Sequence, residues 1–396
     1  MKNKYYKFLD LGYQPLANQF LSKKDLLKKE KKYRLSVCLN RSNFLVSIKD
    51  TFTSKEMFNE NYPYRSSMSK SVSTSFKKLS RQIKKKFKYK KILEIGSNDG
   101  TFMKYFNKKD IIGIEPCKNV EKVTKNKKFK TYPLYWNDKT CQFLKKKYGE
   151  FDLIFSANTL SHIKNLGNVF KNISKILSEK GILIIEDPSL LDCLKKNAYD
   201  QFYNEHIYVF SCTSLNKILK KNNLEIFKIE NLELHGGSIR YYIKKTQNKL
   251  KIDKSFKIQI NKELKFGLKK TSTYQKFSKR VIKSKDKLQE IFNNLKKGNK
   301  KIIGYGATAK STTVLNYCRI DHNFIDYFVD TTPDKQNKYT PGTKIKIKKY
   351  KKEIKKDVDF VFLGAWNFKK EIFLKEKKFI KRGGKFITHV PFPKIV

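Results

Sequence analysis

The chain is poor in cysteine, arginine and acidic residues, and it lacks any long apolar run. Each shortage excludes something. Six cysteines occur in 396 residues, at positions 38, 117, 141, 193, 212 and 318, and no two form a CxxC pair. That spacing excludes a disulfide framework of the secreted type, and the six read as reduced thiols of a cytoplasmic protein. No apolar stretch approaches the ~18 residues of a membrane span, so no membrane partner is expected. The opening Met1-Lys2-Asn3-Lys4-Tyr5-Tyr6-Lys7 leads into no apolar segment, and a secretory signal is not expected.

Acids number 36 against 89 basic residues, a formal net charge of +53. Such a charge suits a nucleic-acid binder. Yet only eight of the 89 basic residues are arginine (34, 41, 65, 81, 240, 280, 319 and 382), and arginine is the side chain fitted to bidentate phosphate and base contacts. The lysines are spread along the whole chain, and Lys, Asn, Ile, Phe and Tyr are all abundant, as AT-rich genomes produce. The charge therefore reads as surface solvation, not as a nucleic-acid interface, although its field would draw in an anionic substrate. Nothing in the sequence sets an oligomeric state, and a monomer is compatible with it.

What is present is globular: 39% hydrophobic and 14% aromatic residues, with length enough for two or three cores. Residues 1–75 are mixed. From about 85 to 245, short apolar runs alternate with helix-length Lys-rich segments, the pattern of a doubly wound α/β sheet. The expected strands are Lys91–Ile95, Ile111–Glu115, Phe151–Ser156 and Gly181–Glu186. Leu224–Leu234 and Ser238–Lys244 beside the Gly236-Gly237 turn would form an antiparallel finishing pair. Residues 246–300, free of proline, read as an amphipathic connecting helix. A second α/β pattern then runs through Ile302–Ala307, Phe324–Asp330, Val358–Leu363 and Lys385–Val390.

The chemistry concentrates in three segments. Ile92-Leu93-Glu94-Ile95-Gly96-Ser97-Asn98-Asp99-Gly100 is a strand ending in a glycine turn, and Ile111-Ile112-Gly113-Ile114-Glu115 is the next strand ending in an acid placed to meet a ribose. A phosphate site wants bare backbone N–H groups, whereas Glu94, Asp99 and Glu115 surround this turn with negative charge. The pocket suits a cationic ligand with a ribose, such as S-adenosylmethionine. The second segment, Phe151 to His162, carries a buried strand into Asn158 and His162 at the carboxyl edge of the sheet, where ligands of open α/β sheets sit. The third is Tyr199-Asp200-Gln201-Phe202-Tyr203-Asn204-Glu205-His206-Ile207-Tyr208. His206 beside Glu205 and Tyr203 can serve as a general base, since an adjacent carboxylate can raise and orient an imidazole.

Together these segments closely resemble the sugar C-methyltransferases that act on nucleotide-linked 4-keto deoxysugars. The resemblance also rests on Asp10-Leu11-Gly12-Tyr13-Gln14-Pro15-Leu16-Ala17-Asn18, Tyr62-Pro63-Tyr64-Arg65-Ser66-Ser67, Tyr203-Asn204-Glu205-His206 and His235-Gly236-Gly237-Ser238-Ile239-Arg240. In the C-terminal part it rests on Gly304-Tyr305-Gly306-Ala307-Thr308-Ala309-Lys310, Leu315-Asn316-Tyr317, Asp330-Thr331-Thr332-Pro333 and Thr340-Pro341-Gly342. It implies an N-terminal zinc-binding type domain over 1–75, a seven-stranded class I methyltransferase domain over 76–248, and a connector with a Rossmann-like sugar-nucleotide domain over 249–396. His206 would correspond to the family's general base, with Tyr64, His162, Tyr203 and Glu205 around the sugar. Glu94, Gly96, Asn98, Asp99, Gly100, Glu115 and Asn158 would hold S-adenosylmethionine. His235, Ser238, Arg240, Gly304, Tyr305, Gly306, Lys310 and Asn316 would contact the sugar nucleotide.

Two departures stand out. The family's paired CxxC motifs are reduced here to Cys38-Leu39-Asn40-Arg41, and one thiolate cannot close a tetrahedral zinc site, so zinc is expected to be absent. Asn204 stands where the family carries a histidine. The C-terminal Gly304-x-Gly306 loop leaves three readings open: a dinucleotide site with Asp330 on a ribose, a bare scaffold, or one wall of a sugar-nucleotide site, which the resemblance favours.

Overall fold

The computed structural model describes residues 4–49 and 53–396; Met1–Asn3 of the opening stretch lie outside the described residues. Three sheets organise the chain. The central one has seven strands and, numbered by appearance in the sequence, runs 3-2-1-4-5-7-6 from edge to edge. Strands 1 to 5 are Ile92–Ile95, Ile111–Ile114, Lys130–Tyr132, Phe151–Ala157 and Leu177–Pro188, all parallel. Leu224–Leu232 and Ser238–Lys245 close the sheet as an antiparallel pair. This is the doubly wound class I methyltransferase sheet expected from the sequence.

The strands read as continuous apolar runs because both faces are covered. Leu93, Ile95, Leu183 and Ile185 enter one core, while Ile92, Ile182 and Ile184 enter the other. The helix Lys70–Lys86 supplies Val72, Phe76, Leu79 and Ile83 to that second core. It runs across residue 75, so the residues just before that position pack with the central sheet.

The N-terminal sheet pairs Tyr5–Pro15, Lys32–Asn40 and Val46–Ile48, and its fourth strand, Tyr208–Val209, comes from the loop after His206. Where one connecting helix was expected there are two, Lys254–Phe266 and Thr271–Lys297. Gly267 ends the first with φ +84°, a left-handed conformation that suits glycine at a helix C-terminus. The C-terminal sheet has six strands in the order Ile347–Lys349, Phe328–Asp330, Ile302–Tyr305, Phe360–Leu363, Lys385–Thr388 and Lys394–Ile395, parallel except for the last. Among the described residues no helix is long and apolar enough to cross a membrane.

Candidate active site

Strand 1 of the central sheet ends at the switch point where strand order reverses, the position at which open α/β sheets bind ligands. The turn that follows is built for close approach. Gly96 has φ +76°, and a Cβ there would meet the Thr159 hydroxyl oxygen at 2.1 Å. Asn98 also adopts a positive φ, 48°. The Glu115 carboxylate braces the turn, accepting from the Asn98 N–H at 2.9 Å and the Cys117 N–H at 2.9 Å.

Beside this turn lies a cavity lined by Gly96, Asn98, Glu115, Asn158 and His162 together with Phe58, Tyr62, Tyr135 and Trp136. These residues fit S-adenosylmethionine. A glycine cradle approaches closely, aromatic walls can face a base, and Glu115 stands at the strand end. Burial pushes the Glu94 and Glu115 carboxyls up, with Asp99 adding to both shifts.

Three residues expected here sit behind the wall. Glu94 is buried beneath the turn. Asp99 accepts from the Ser67 N–H at 3.1 Å and the Thr101 hydroxyl at 2.6 Å. Gly100 packs on Thr124. Tyr135 and Trp136 had not been singled out, although an aromatic pair just after strand 3 is where a signal could have been read.

A second cavity of about 310 Å³ opens between the central and C-terminal sheets, and Tyr62, Tyr64, Asn158 and His162 line both it and the first. His206 lines it with Tyr203 and Glu205. The imidazole Nδ1 lies 2.8 Å from the Gln201 carbonyl, and Nε2 lies 2.6 Å from the Tyr203 hydroxyl. A carbonyl can only accept, so Nδ1 carries the proton and Nε2, unprotonated, accepts from the Tyr203 hydroxyl. Phe58, His162 and His206 form a stack, with ring centroids 5.5 and 5.2 Å apart.

The expected pairing of Glu205 with His206 is corrected here. The Glu205 carboxylate accepts from the Asn18 amide at 2.7 Å and the Tyr62 hydroxyl at 3.2 Å, and burial pushes it up to about 7. Burial, aided by His162 and Lys310, holds the His206 pKa well below its usual value. The imidazole is neutral, as a base must be, without a carboxylate to raise it. His162 is likewise pushed down to about 3 by burial, and its Nε2 has no partner in the protein.

His235, Tyr305, Gly306 and Lys310 also line this second cavity, along with Arg65, Asp330, Lys335 and Lys375, and Arg65 is paired with Asp334 at 3.0 Å. The Lys310 ammonium donates to the His235 carbonyl at 2.9 Å. Four other expected substrate contacts lie elsewhere. Arg240 is 1% exposed and locked in ion pairs with Glu186 at 2.6 Å and Glu230 at 2.7 Å. The Ser238 hydroxyl donates to the Leu234 carbonyl. Gly304 makes room for the Phe328 ring, 2.4 Å from where a Cβ would stand. The Asn316 amide holds the Thr312 and Pro341 carbonyls. Asp330 turns its carboxylate onto the N–H groups of Ala307 at 2.9 Å and Thr332 at 2.8 Å, with Lys335 at 3.7 Å.

A seven-stranded sheet of this order, with a glycine turn and a strand-end acid at its switch point, defines an S-adenosylmethionine-dependent methyltransferase. Family models match in succession: a putative zinc binding domain over residues 2–58, a methyltransferase domain over 64–229 and a C-methyltransferase C-terminal domain over 233–391. The chain is an S-adenosylmethionine-dependent methyltransferase whose C-terminal part matches the C-methyltransferase C-terminal domain.

The chain is 25% identical over 393 residues to C-methyltransferase NovU of Streptomyces niveus, covering 98% of this chain and 93% of that one. Among solved structures, an S-adenosylmethionine-dependent methyltransferase from Clostridium acetobutylicum aligns with a TM-score of 0.33 at 16% identity, over 45% of this chain and 93% of that one. The CurJ carbon methyltransferase aligns with a TM-score of 0.33 at 14% identity, over 44% and 56%.

The first of the three domain descriptions raises zinc, and the donor set does not fit it. Residues 1–58 contain one cysteine, Cys38, and no histidine. Among the described residues no group of three or more His, Cys, Asp or Glu side chains is arranged to hold a metal. Four donors are needed to close a structural zinc site.

Proposed function

We propose that the acceptor is the carbon next to the ketone of a nucleotide-linked 4-keto-6-deoxysugar, and that His206 makes this carbon nucleophilic. The observation that carries the reading is the cavity shared by a neutral imidazole and a basic, glycine-turn wall. A proton beside a ketone is removable only if the charge that develops on the oxygen is stabilised. Nε2 of His206 accepts that proton, and the bonding pair moves into the enolate. In the free site the Tyr203 hydroxyl donates to Nε2 at 2.6 Å; when the acceptor enters, that proton turns to the ketone or its neighbouring oxygen and frees the Nε2 lone pair. Tyr64 and His162, on the wall common to both cavities, hold the sugar against the donor side.

Bound S-adenosylmethionine supplies an electrophilic methyl group on a sulfonium. Glu115 and the Gly96 turn would hold it, and the shared wall keeps the two substrates aligned, which supplies much of the acceleration. Lys310, Lys335, Lys375 and Arg65 line the acceptor cavity and offer cations for a diphosphate. Asp330, fully engaged with Ala307 and Thr332, braces the Gly306 turn and is not free to read a ribose, which favours the sugar-nucleotide wall over a dinucleotide site. A cytoplasmic setting, where nucleotide-linked sugars are made, belongs to the same reading.

The test is incubation with labelled methyl donor and a panel of dTDP-, GDP- and CDP-linked 4-keto-6-deoxysugars, read by mass spectrometry. Label on carbon, with solvent deuterium exchanging beside the ketone when the methyl donor is left out, is the expected result. Methylation of oxygen or nitrogen without exchange overturns it. Methyl transfer to tRNA that weakens steeply with salt would instead assign the charge to a nucleic-acid substrate.

A further inference from the structure

We propose that Asp200 is a positioning residue: through the turn Tyr199–Gln201 it ties the tautomer and aim of the His206 imidazole to the seating of the C-terminal sheet. This rests on the reading of His206 as the base. The turn is buried throughout, with Tyr199 and Asp200 at 0% exposure and Gln201 at 3%. Each of its side chains is bound into the C-terminal part of the molecule or beside it. The Tyr199 hydroxyl meets the Cys318 sulfur at 3.6 Å. One Asp200 oxygen accepts from Trp366 Nε1 at 2.5 Å and contacts His389 Nε2 at 3.0 Å. The Gln201 amide donates at 2.7 Å to the His235 carbonyl, which also takes the Lys310 ammonium. Cys318, Trp366, His389 and Lys310 all belong to the chain beyond residue 300.

The other end of the same turn is the Gln201 carbonyl that accepts from His206 Nδ1. That one acceptor decides which ring nitrogen keeps the proton and therefore which one is a base. His206 is 5% exposed, and a displaced carbonyl would leave its buried N–H without this partner. Asp200 stays ionised in this setting: burial works to raise its pKa, but His389, Lys310 and Trp366 outweigh that and hold it below the usual value. Its other oxygen has no partner, so the Trp366 and His389 contacts carry the anchorage. Asp200, Trp366 and His389 do not line the acceptor cavity. The part of the fold that supplies Gly306 and Lys310 to the acceptor cavity thus also sets the base.

The experiment uses the full-length chain with 15N-labelled histidine. Among five histidines, a His206→Asn variant identifies the His206 resonances. In the unsubstituted protein His206 is expected as the Nδ1–H tautomer. In Asp200→Asn, which loses the charge at nearly constant volume, the expected result is a mixture with the Nε2–H tautomer. Methylation and donor-free deuterium exchange of the 4-keto sugar should fall together by about tenfold or more, up to the ~10²–10⁴-fold a general base contributes. KM and S-adenosylmethionine affinity should stay within about twofold, as for a loss felt after binding.

Trp366→Phe removes the N–H but keeps an aromatic ring. It is expected to move the same signals in the same direction, and it decides the question if Asp200→Asn does not fold. A merely structural role would lower the melting temperature while leaving the His206 tautomer of the folded protein unchanged; that outcome overturns the proposal. Full exchange in His206→Asn overturns the base assignment instead. The tautomer signals then still report whether Asp200 sets the ring.

Discussion

Nε2 of His206 and the hydroxyl of Tyr203 face each other at 2.6 Å, with the imidazole proton committed to the opposite nitrogen. On the reading proposed above, the pair is a base and a donor held in one cavity before any acceptor is bound. Replacing His206 with Asn is expected to lower kcat by roughly 10²–10⁴-fold, while calorimetry shows S-adenosylmethionine still binding. Tyr203→Phe should lower it less, because the base remains. Full turnover in the Asn variant would sink the assignment.

Glu205 gives a pH signature. Its folded pKa, about 7, lies above the usual carboxylate value, so the folded state holds a proton that the unfolded chain releases. Stability from this group is therefore fully present below about pH 4.5 and falls as pH rises toward 7, by an amount on the order of 3 kcal/mol. Glu205→Gln should flatten that decline, so that its melting temperature gains on the parent between pH 5 and 8. Parallel melting curves across that range would show the carboxyl is not buried as described.

Glu115 holds two backbone N–H groups of the donor turn. Glu115→Ala should weaken S-adenosylmethionine binding by about 1.5–3 kcal/mol, as expected for hydrogen bonds to a charged group. Isothermal titration measures this directly, and unchanged affinity would remove Glu115 from the donor site.

Arg240 is structural in this fold. Arg240→Ala leaves Glu186, 3% exposed, without its cation. Loss of one partner of a buried pair costs about 3–5 kcal/mol. Chemical denaturation should show a drop of this size, whereas KM of the folded fraction stays at the parental value. A large rise in KM with unchanged stability would return Arg240 to the substrate.

The N-terminal sheet should be indifferent to chelators. Its strands enclose Leu9, Leu35, Val37 and Val46, and Asp10 pairs with Arg34 at 2.8 Å at its surface. Prolonged treatment with a strong chelator should leave the melting temperature unchanged, and elemental analysis should find less than one zinc per chain. A chelator-induced fall in melting temperature would mean that metal is part of the fold.

The donor turn was legible because its requirements are local. A buried strand, a glycine that must approach Thr159, and an acid at the next strand end follow one another within a single stretch of chain. His206 was legible because histidine is scarce and its neighbours crowd together. What the sequence hid was pairing at a distance. Arg240 was expected at the substrate through the resemblance of the His235–Arg240 segment, and only the folded sheet brings Glu186 and Glu230 to it. Glu205 was read against its chain neighbour His206, yet its partners are Asn18 and Tyr62. Likewise Gly267 split an apparently continuous helix, because amphipathic periodicity persists across a single residue of left-handed backbone.

The two-residue strand Tyr208–Val209, lent to the N-terminal sheet directly after His206, bears on how this architecture can be recombined. A grafted N-terminal module brings an edge to which the recipient's own 208–209 segment must dock. Val46 and Ser47 face Val209 and Tyr208 there, so mismatched parents would shift the loop that carries His206. Chimeras that exchange residues 1–60 together with 203–210 should keep turnover. Those that cut between the two segments should fold and bind donor yet turn over slowly.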